Sequence, residues 1–150
     1  MSEQSMQAVA LDSSPLAGLA GGVTREKIQR LEDDLRKGPT VDADTRTDHT
    51  FGPGFYARTL RLLAGETLTG KAHATEHIFI LSEGELLVAT EDGRMHIKAP
   101  YQAVCRPGLK RAGYALTDVV CTNVHITAET DLVKLEAALI EFEPVMALEG

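Results

Sequence analysis

The sequence predicts a mainly β protein: a sandwich or barrel of short strands, with a helix on either side of it in the chain. Short apolar runs alternate with turn residues from residue 50 to residue 127, and no helical period of useful length interrupts them. Asp92-Gly93 stands between two of these runs and is a strong signal for a β-hairpin. Amphipathic helical patterns occur only before and after this region.

Length and charge limit the classes of function. A chain of 150 residues, 43% of them hydrophobic, suits one domain with one core. The net charge of -7 argues against a nucleic-acid partner, because phosphates are bound by basic surfaces. No apolar run approaches the roughly 20 residues that span a bilayer, so no membrane partner is expected. The N-terminus lacks the basic start and apolar stretch of a signal peptide, so the chain is expected to be made in the cytoplasm and not to be secreted by a signal peptide.

Residues 1–49 are predicted to form an extended arm that contains one short helix, at about residues 24–37. Thr24 is a suitable N-cap for this helix. Its apolar side chains share one narrow face, which consists of Ile28, Leu31 and Leu35. Three aliphatic residues are too few to form a core, so the helix must dock on the barrel, on a sister subunit or on another protein. This stripe is the candidate partner-binding surface.

Residues 50–127 are the predicted β domain, and residues 128–150 are predicted to be a C-terminal helix and tail. Thr130 can cap this second helix, and Pro144 ends it. Its apolar residues lie on one face, which indicates that it covers a mouth or a flank of the barrel. Cys105 and Cys121 lie in apolar runs and are expected to be buried free thiols.

The histidines are the main candidates for chemistry. The stretch from Gly65 to Gly84 resembles the first motif of the cupin superfamily, G-x5-H-x-H-x3-4-E-x6-G, whose ligands hold a metal inside a jelly-roll barrel. The three ligand positions fall on Lys71, His73 and His77, and the closing glycine falls on Gly84. The spacing is kept, whereas one histidine and the glutamate are replaced. The resemblance implies a single cupin-like, jelly-roll β-barrel over residues 50–127.

The second cupin motif falls on residues 100–115 and matches weakly, with Arg111 at the position of the fourth metal ligand. Lysine and arginine are cations at neutral pH, and arginine does not lose its proton in proteins. Two such charges would repel a divalent ion strongly in a medium of low dielectric constant. No metal or other cofactor is therefore expected. Lys71 and Arg111 are instead candidates for a pocket at the barrel mouth, and Arg111 could pair with Glu76, Glu83 or Glu85.

A metal site remains as an alternative. His73, His77 and His125 could together bind a divalent transition metal, since three imidazoles can hold zinc. Otherwise His77 and His125 would be hydrogen-bonded barrel residues and His73 a loop residue. His96 is expected to face outward, and His49 is expected to lie in the polar linker.

Two longer runs, residues 69–93 and 99–140, resemble the small cupin-like proteins of tailed phages and prophages. The matching elements are TGK-x-H at Thr69–His73, a DG hairpin, an AP pair, PG-x-KR-x-GYA at Pro107–Ala115, and a short acidic helix. The resemblance implies a structural protein of the virion.

Three functions follow as hypotheses. The first is a non-enzymatic capsid cement or decoration subunit, oligomeric, that stabilises the shell by binding the major capsid protein and sister subunits. The second is a metal-dependent cupin enzyme, of the isomerase or dioxygenase type, that uses His73, His77 and His125. The third is a sensor that binds an anionic sugar or nucleotide through Lys71 and Arg111.

Overall fold

The computed structural model describes residues 15–19, 22–70, 75–108, 110–134 and 145–148. Its one long helix, α1, spans Arg25–Arg36, and short 3₁₀ helices span Pro15–Leu19 and Ala43–Arg46. The strands of the described residues are β1 (Thr40–Val41), β2 (Thr47–Gly52), β3 (Phe55–Leu62), β4 (Glu66–Gly70), β5 (His77–Glu83), β6 (Glu85–Thr90), β7 (Gly93–Lys98), β8 (Tyr101–Cys105), β9 (Arg111–Ala115), β10 (Val119–Ile126) and β11 (Val145–Leu148).

The strands form two antiparallel sheets with a jelly-roll order. The six-stranded sheet has the order β1-β11-β4-β9-β6-β7, and the five-stranded sheet has the order β2-β3-β10-β5-β8. Strands β3 to β10 alone give the orders 3-10-5-8 and 4-9-6-7, in which the first strand pairs with the last and the second with the last but one. This nesting of eight strands in two sheets is that of a jelly roll. The predicted mainly β, jelly-roll fold class is confirmed.

The core lies between the two sheets, where alternate residues of each strand point inward. On β5, His77, Phe79 and Leu81 are buried, whereas the residues between them face outward. The buried cluster takes side chains from both sheets: Leu62, Phe79, Leu81, Val119 and Cys121 from one, and Leu86, Ile97 and Ala115 from the other. Aliphatic side chains supply most of this core, as a chain without tryptophan requires.

Two glycines mark the turns that flank β6. Thr90 pairs with Gly93, so the hairpin predicted at Asp92-Gly93 is present, with Glu91 and Asp92 as its turn. Gly84, the closing glycine of the first motif, lies between β5 and β6 with φ of +91°. A Cβ atom there would overlap the carbonyl oxygen of Asp118. The motif requires glycine at this position for both reasons.

Helix α1 begins where the sequence indicates. The Thr24 side chain accepts a hydrogen bond from the Lys27 amide and caps the helix. Ile28 is fully buried on the outer face of the six-stranded sheet, and Leu31 packs against the same cluster. The other buried members of this cluster are Leu16, Leu19, Leu87, Ala89 and Ala112.

The docking of α1 corrects the interpretation of its apolar stripe as a partner-binding surface. Ile28 packs within its own chain and offers no exposed surface to a partner. The helix docks here because it covers an apolar sheet face that water would otherwise contact. Leu31 and Leu35 are half-buried.

A buried ion pair joins α1 to the sheet beneath it. Glu32 is 3% exposed and Lys110 is fully buried, with 3.4 Å between Lys110 Nζ and Glu32 Oε1. The Thr69 hydroxyl donates a hydrogen bond to the same carboxylate oxygen at 3.0 Å. Buried charges persist when they are paired and hydrogen-bonded, and here the pair selects one position of the helix on the sheet.

The flanking segments contribute more strands than the sequence predicts. From the predicted arm, β1 adds to the six-stranded sheet and β2 adds to the five-stranded sheet. Strand β2 pairs with β3 along its whole length. Near the C-terminus, Asp131 rather than Thr130 accepts the capping hydrogen bond, from the Lys134 amide, and residues 132–134 form a helical turn. Leu135, Leu139 and Ile140 of the predicted C-terminal helix lie outside the described residues. Strand β11 then pairs with both β1 and β4.

No helix among the described residues combines the length and the apolar character needed to cross a bilayer.

Candidate functional site

The structure brings together two of the three histidines that the alternative metal site needs. His77 on β5 and His125 on β10 both point inward and are 5% and 1% exposed. Their ring centroids are 4.8 Å apart and the rings are stacked at 29°. His73 and Lys71 lie outside the described residues, so their predicted roles stay predictions.

A row of rings continues from this pair towards β2. Tyr56 is buried, stacks on His125 with 6.2 Å between ring centroids, and stacks on His49 at 5.8 Å. The hydroxyl of Tyr56 lies 2.6 Å from Nδ1 of His49. His49 therefore belongs to strand β2, which corrects the expectation that it lies in a polar linker. The residues before it in the sequence are polar and gave no apolar alternation that would have predicted a strand.

Arg111 reaches from β9, in the other sheet, to the histidine pair. Its Nη2 is 3.5 Å from His77 Nε2, and its Nη1 donates to Cys105 Sγ at 3.6 Å. The guanidinium carbon lies 5.6 Å from the centre of the Phe79 ring, a cation–π distance. Arg111 forms no ion pair within the described part of the chain, so pairing with Glu76, Glu83 or Glu85 does not occur there.

Glu85, one of the carboxylates that could have paired with Arg111, has other partners. His96 Nε2 lies 3.0 Å from its carboxylate, and Lys98 Nζ lies 3.7 Å from it. His96 is thus held on the outer side of the β6–β7 hairpin by a neighbouring strand, away from the histidine pair.

The surroundings of the two inward histidines favour neutral imidazoles. Burial, the charge of Arg111 and the neighbouring His125 together lower the pKa of His77 to about 4, although hydrogen bonds with Thr75 and Asn123 partly oppose them. Burial and the charges of Arg111 and Arg58 lower the pKa of His125 to about 4. At neutral pH two uncharged rings lie at the site, with Arg111 against His77 and the charge of Arg58 close to His125.

The described donors do not suit the metal that a cupin usually holds. Neutral imidazoles are good metal ligands, and two of them are present. However, His77 Nε2 faces a guanidinium, which cannot coordinate and would repel a divalent ion. Among the described residues, no group of three histidine, cysteine, aspartate or glutamate side chains is placed to hold a metal ion. A metal would need His73, which is outside that part of the chain, and a displacement of Arg111.

A cavity of about 340 Å³ lies between the sheets next to Arg111. Most of its wall is aliphatic, and the polar side chains that reach it include Arg111, Asn123, Thr90 and Tyr101. A volume of this size lies at the lower end of the range for small-molecule sites, about 300–1,000 Å³. The chain therefore has space for a small ligand between its sheets.

An ion pair stands at the edge of this cavity. Arg106, directly after β8, donates two hydrogen bonds to Asp92 in the β6–β7 turn, at 2.7 and 3.0 Å. The guanidinium lowers the pKa of the Asp92 carboxyl from its usual value. The pair links the β6–β7 turn of one sheet to the residue that follows β8 in the other sheet.

The two cysteines are free, as expected. Cys121 is buried in the core, and burial raises the pKa of its thiol to about 11, so it is inert at neutral pH. Cys105 is half-buried and contacts Arg111 at the cavity wall.

Sequence reasoning placed His77, His125 and Arg111 near one another but missed Tyr56, Asn123 and Cys105. Their inward direction follows from the alternation of β3, β10 and β8. That alternation could have been counted once the strand register was known, but nothing in the residue types signalled a site.

No family model matches the chain, and a search among curated proteins finds no match. Solved structures of cupin-domain proteins are similar to it. A cupin-2 domain protein from Shewanella frigidimarina is 17% identical with a TM-score of 0.46, over 54% of this chain and 79% of that one. Ectoine synthase from P. lautus is 16% identical with a TM-score of 0.49, over 56% of this chain and 64% of that one. The cupin domain of Schizosaccharomyces pombe Cnp3 is 17% identical with a TM-score of 0.46, over 61% and 68%. The strand order of the chain itself, rather than these similarities, defines its fold.

Proposed function

We propose that this chain is a non-enzymatic structural protein of a tailed-phage virion, a capsid decoration subunit that binds the major capsid protein and sister subunits. The observation that carries the non-enzymatic part is the position of Arg111. Its guanidinium lies against His77 Nε2, where a cupin would place its metal. A site with a permanent cation in that place lacks the Lewis acid on which cupin catalysis depends.

The assignment to a virion rests on the resemblance of residues 69–93 and 99–140 to cupin-like phage proteins. One structural asymmetry supports it. Helix α1 covers the outer face of the six-stranded sheet, whereas the described residues leave the outer face of the five-stranded sheet uncovered.

That uncovered face presents an apolar row across three strands. Val104, Ile78 and Val124 are register partners on β8, β5 and β10, and we call them the outer row. Val104 is 66% exposed and Ile78 is 44% exposed, and Ile126 on the same face is 90% exposed. Contiguous apolar side chains on a sheet surface are typical of a surface that a protein partner covers. The major capsid protein is the partner proposed here.

The first test is the composition of particles. The chain should be present in purified virions, or in heads from an induced prophage, in a fixed ratio to the major capsid protein, as measured by quantitative mass spectrometry. Its absence from washed particles would overturn the proposal.

The second test locates the contact. Heads that lack the chain should bind the purified wild-type protein in co-sedimentation. The double variant Ile78→Ser, Val104→Ser should bind at least about tenfold more weakly, because it removes apolar area from the contact. Leu63→Ser is the control, since Leu63 is 50% exposed but lies in the β3–β4 connection. Equal binding by the double variant would exclude the outer row as the contact.

The stacked, neutral pair of His77 and His125 favours one alternative, a metal-dependent cupin enzyme of the isomerase or dioxygenase type that also uses His73. Elemental analysis of protein purified without chelators separates the two proposals. Stoichiometric metal that is lost in His77→Ala would support the enzyme. Substoichiometric metal that is unchanged in that variant would exclude it.

A further inference from the structure

The cavity between the sheets contains a positive charge without a counter-ion in the described chain. The Arg111 guanidinium contacts three uncharged groups: the His77 imidazole, the Cys105 thiol and the Phe79 ring. A guanidinium that is partly removed from water and faces only neutral groups loses hydration without gaining an ion pair.

Three other cations of the described residues do have carboxylates. Arg46 lies 2.7 Å from the buried Glu66, and Arg106 lies 2.7 Å from Asp92 at the cavity edge. The fully buried Lys110 is paired with Glu32. Arg58 on β3 is half-buried and likewise has no carboxylate partner among the described residues, but Arg111 is the one of the two that lines the cavity.

We infer that the cavity binds a small monoanionic carboxylate with an apolar body, its carboxylate against Arg111 and its body against the aliphatic walls of the two sheets. The guanidinium has a planar fork of donors that matches a carboxylate in geometry. The surrounding wall includes Leu60, Leu62, Leu68, Leu86, Val88 and Ile97, which can cover an alkyl or aryl group.

The same observations decide between ligand classes. One cation in an apolar cavity compensates one negative charge, so a phosphate monoester with nearly two charges would remain partly uncompensated. A sugar or nucleotide would bring several hydroxyl and amide groups against aliphatic walls that cannot hydrogen-bond to them. The sequence-based expectation of an anionic sugar or nucleotide is therefore replaced by an amphipathic carboxylate.

Octanoate is the probe that tests this inference, with 1-octanol, octyl phosphate and acetate as comparisons. Isothermal titration of the full chain at neutral pH should show saturable octanoate binding. Affinity should be lower by at least about tenfold for 1-octanol, which lacks the charge, and for acetate, which lacks the body. Tighter binding of octyl phosphate than of octanoate would overturn the assignment to a carboxylate.

Two variants connect the binding to the cavity. Arg111→Met keeps a similar side-chain length without the charge and should weaken octanoate binding at least about tenfold, with little change for 1-octanol. Ala103→Phe leaves Arg111 intact but fills the cavity from β8, so it should abolish binding of both probes.

Arg61→Met is the matched control, because Arg61 is 52% exposed on the outer face of β3, paired with Asp48. Circular dichroism establishes that each variant is folded. If Arg111→Met does not fold, the Ala103→Phe result alone decides. Octanoate affinity that is unchanged in folded Arg111→Met or in Ala103→Phe would overturn the inference, whatever the outcome of the capsid experiments.

Discussion

A glycine in this chain can be required for its backbone conformation, for the lack of space for a side chain, or for both. Gly84 has a left-handed φ and also lies directly against the carbonyl of Asp118. Gly54 has a similar φ of +83°, but no atom lies within 4 Å of where its Cβ would be. A comparison of alanine substitutions at the two glycines therefore distinguishes the cost of backbone strain from the cost of steric overlap.

We expect Gly84→Ala to reduce the free energy of unfolding by about 3 kcal/mol or more, because it adds overlap with a backbone oxygen to the strain of a left-handed alanine. Gly54→Ala should cost only about 1 kcal/mol, from the strain alone. Urea denaturation of both variants measures the difference. Equal losses would show that the β5–β6 turn moves easily away from Asp118.

The inward histidines make stability depend on pH. Their folded-state pKa values of about 4 lie below the ordinary value of 6.5, so the unfolded chain binds more protons than the folded chain between these values. Stability is therefore complete above about pH 6.5 and decreases as the pH falls towards 4. Between pH 7 and pH 5, the protonation of each imidazole in the unfolded chain should lower the free energy of unfolding by about 2 kcal/mol.

Urea unfolding at pH 7 and pH 5 measures this loss. His125→Gln, which cannot be protonated in this range, should lose less stability than the wild type between the two pH values. A wild-type free energy of unfolding that stays constant from pH 7 to pH 5 would contradict the assignment of buried, neutral imidazoles. The window lies above the range in which most carboxylates titrate, so their contribution is small.

At the scale of elements, helix α1 depends on a charge pair as well as on its apolar face. Lys110 is a type of residue that is rarely buried completely, and it is buried here because Glu32, 78 positions away in the chain, accompanies it. Residues so far apart in sequence give no local signal of their contact. The sequence showed the stripe of the helix and its N-cap, but not this pair.

We expect Glu32→Ala to destabilise the chain by about 3–5 kcal/mol, because a fully buried ammonium loses the carboxylate of Glu32. The double variant Glu32→Met, Lys110→Met should recover most of that loss, since apolar side chains of similar size suit the site. Arg30→Ala, at an exposed position of the same helix, is the control. Urea denaturation measures all of these variants. A double variant as unstable as Glu32→Ala would show that the ion pair itself is required, and that removing both charges together is not enough to restore stability.

The elements that could be predicted are those with a strong local pattern. The hairpin at Asp92-Gly93, the N-cap at Thr24 and the alternation of β5 were visible in the residues themselves. Strands β1 and β2 were missed because TVDADTRTDH has no apolar alternation. Strand β11 was missed because a four-residue strand gains its stability from its neighbours on both sides rather than from its own sequence.

At the scale of the whole molecule, strands from the two segments that flank the predicted β domain meet in one sheet. Strand β11 lies between β1 and β4, so residues 40–41 and 145–148 are held side by side. The position of Arg111 could be inferred from motif spacing. Its uncharged surroundings could not be, because they arise from strands of both sheets that only the completed fold brings together.

We expect truncation after Pro144 to lower the melting temperature by at least about 5 °C, because it leaves β1 without a partner and β4 with an open edge. Truncation after Leu148 keeps β11 and should change the melting temperature little. Differential scanning calorimetry of both truncated chains tests this. Similar melting temperatures for the two would mean that β11 adds little to the cooperative fold.

The row of rings through Tyr56 has a practical consequence. The chain has no tryptophan and three tyrosines, so tyrosine dominates its ultraviolet emission and Tyr56 contributes one of the three signals. Tyr56 is buried between His49 and His125, and its hydroxyl contacts His49. Changes in its fluorescence can therefore follow the charge state and the opening of the interior without any attached dye.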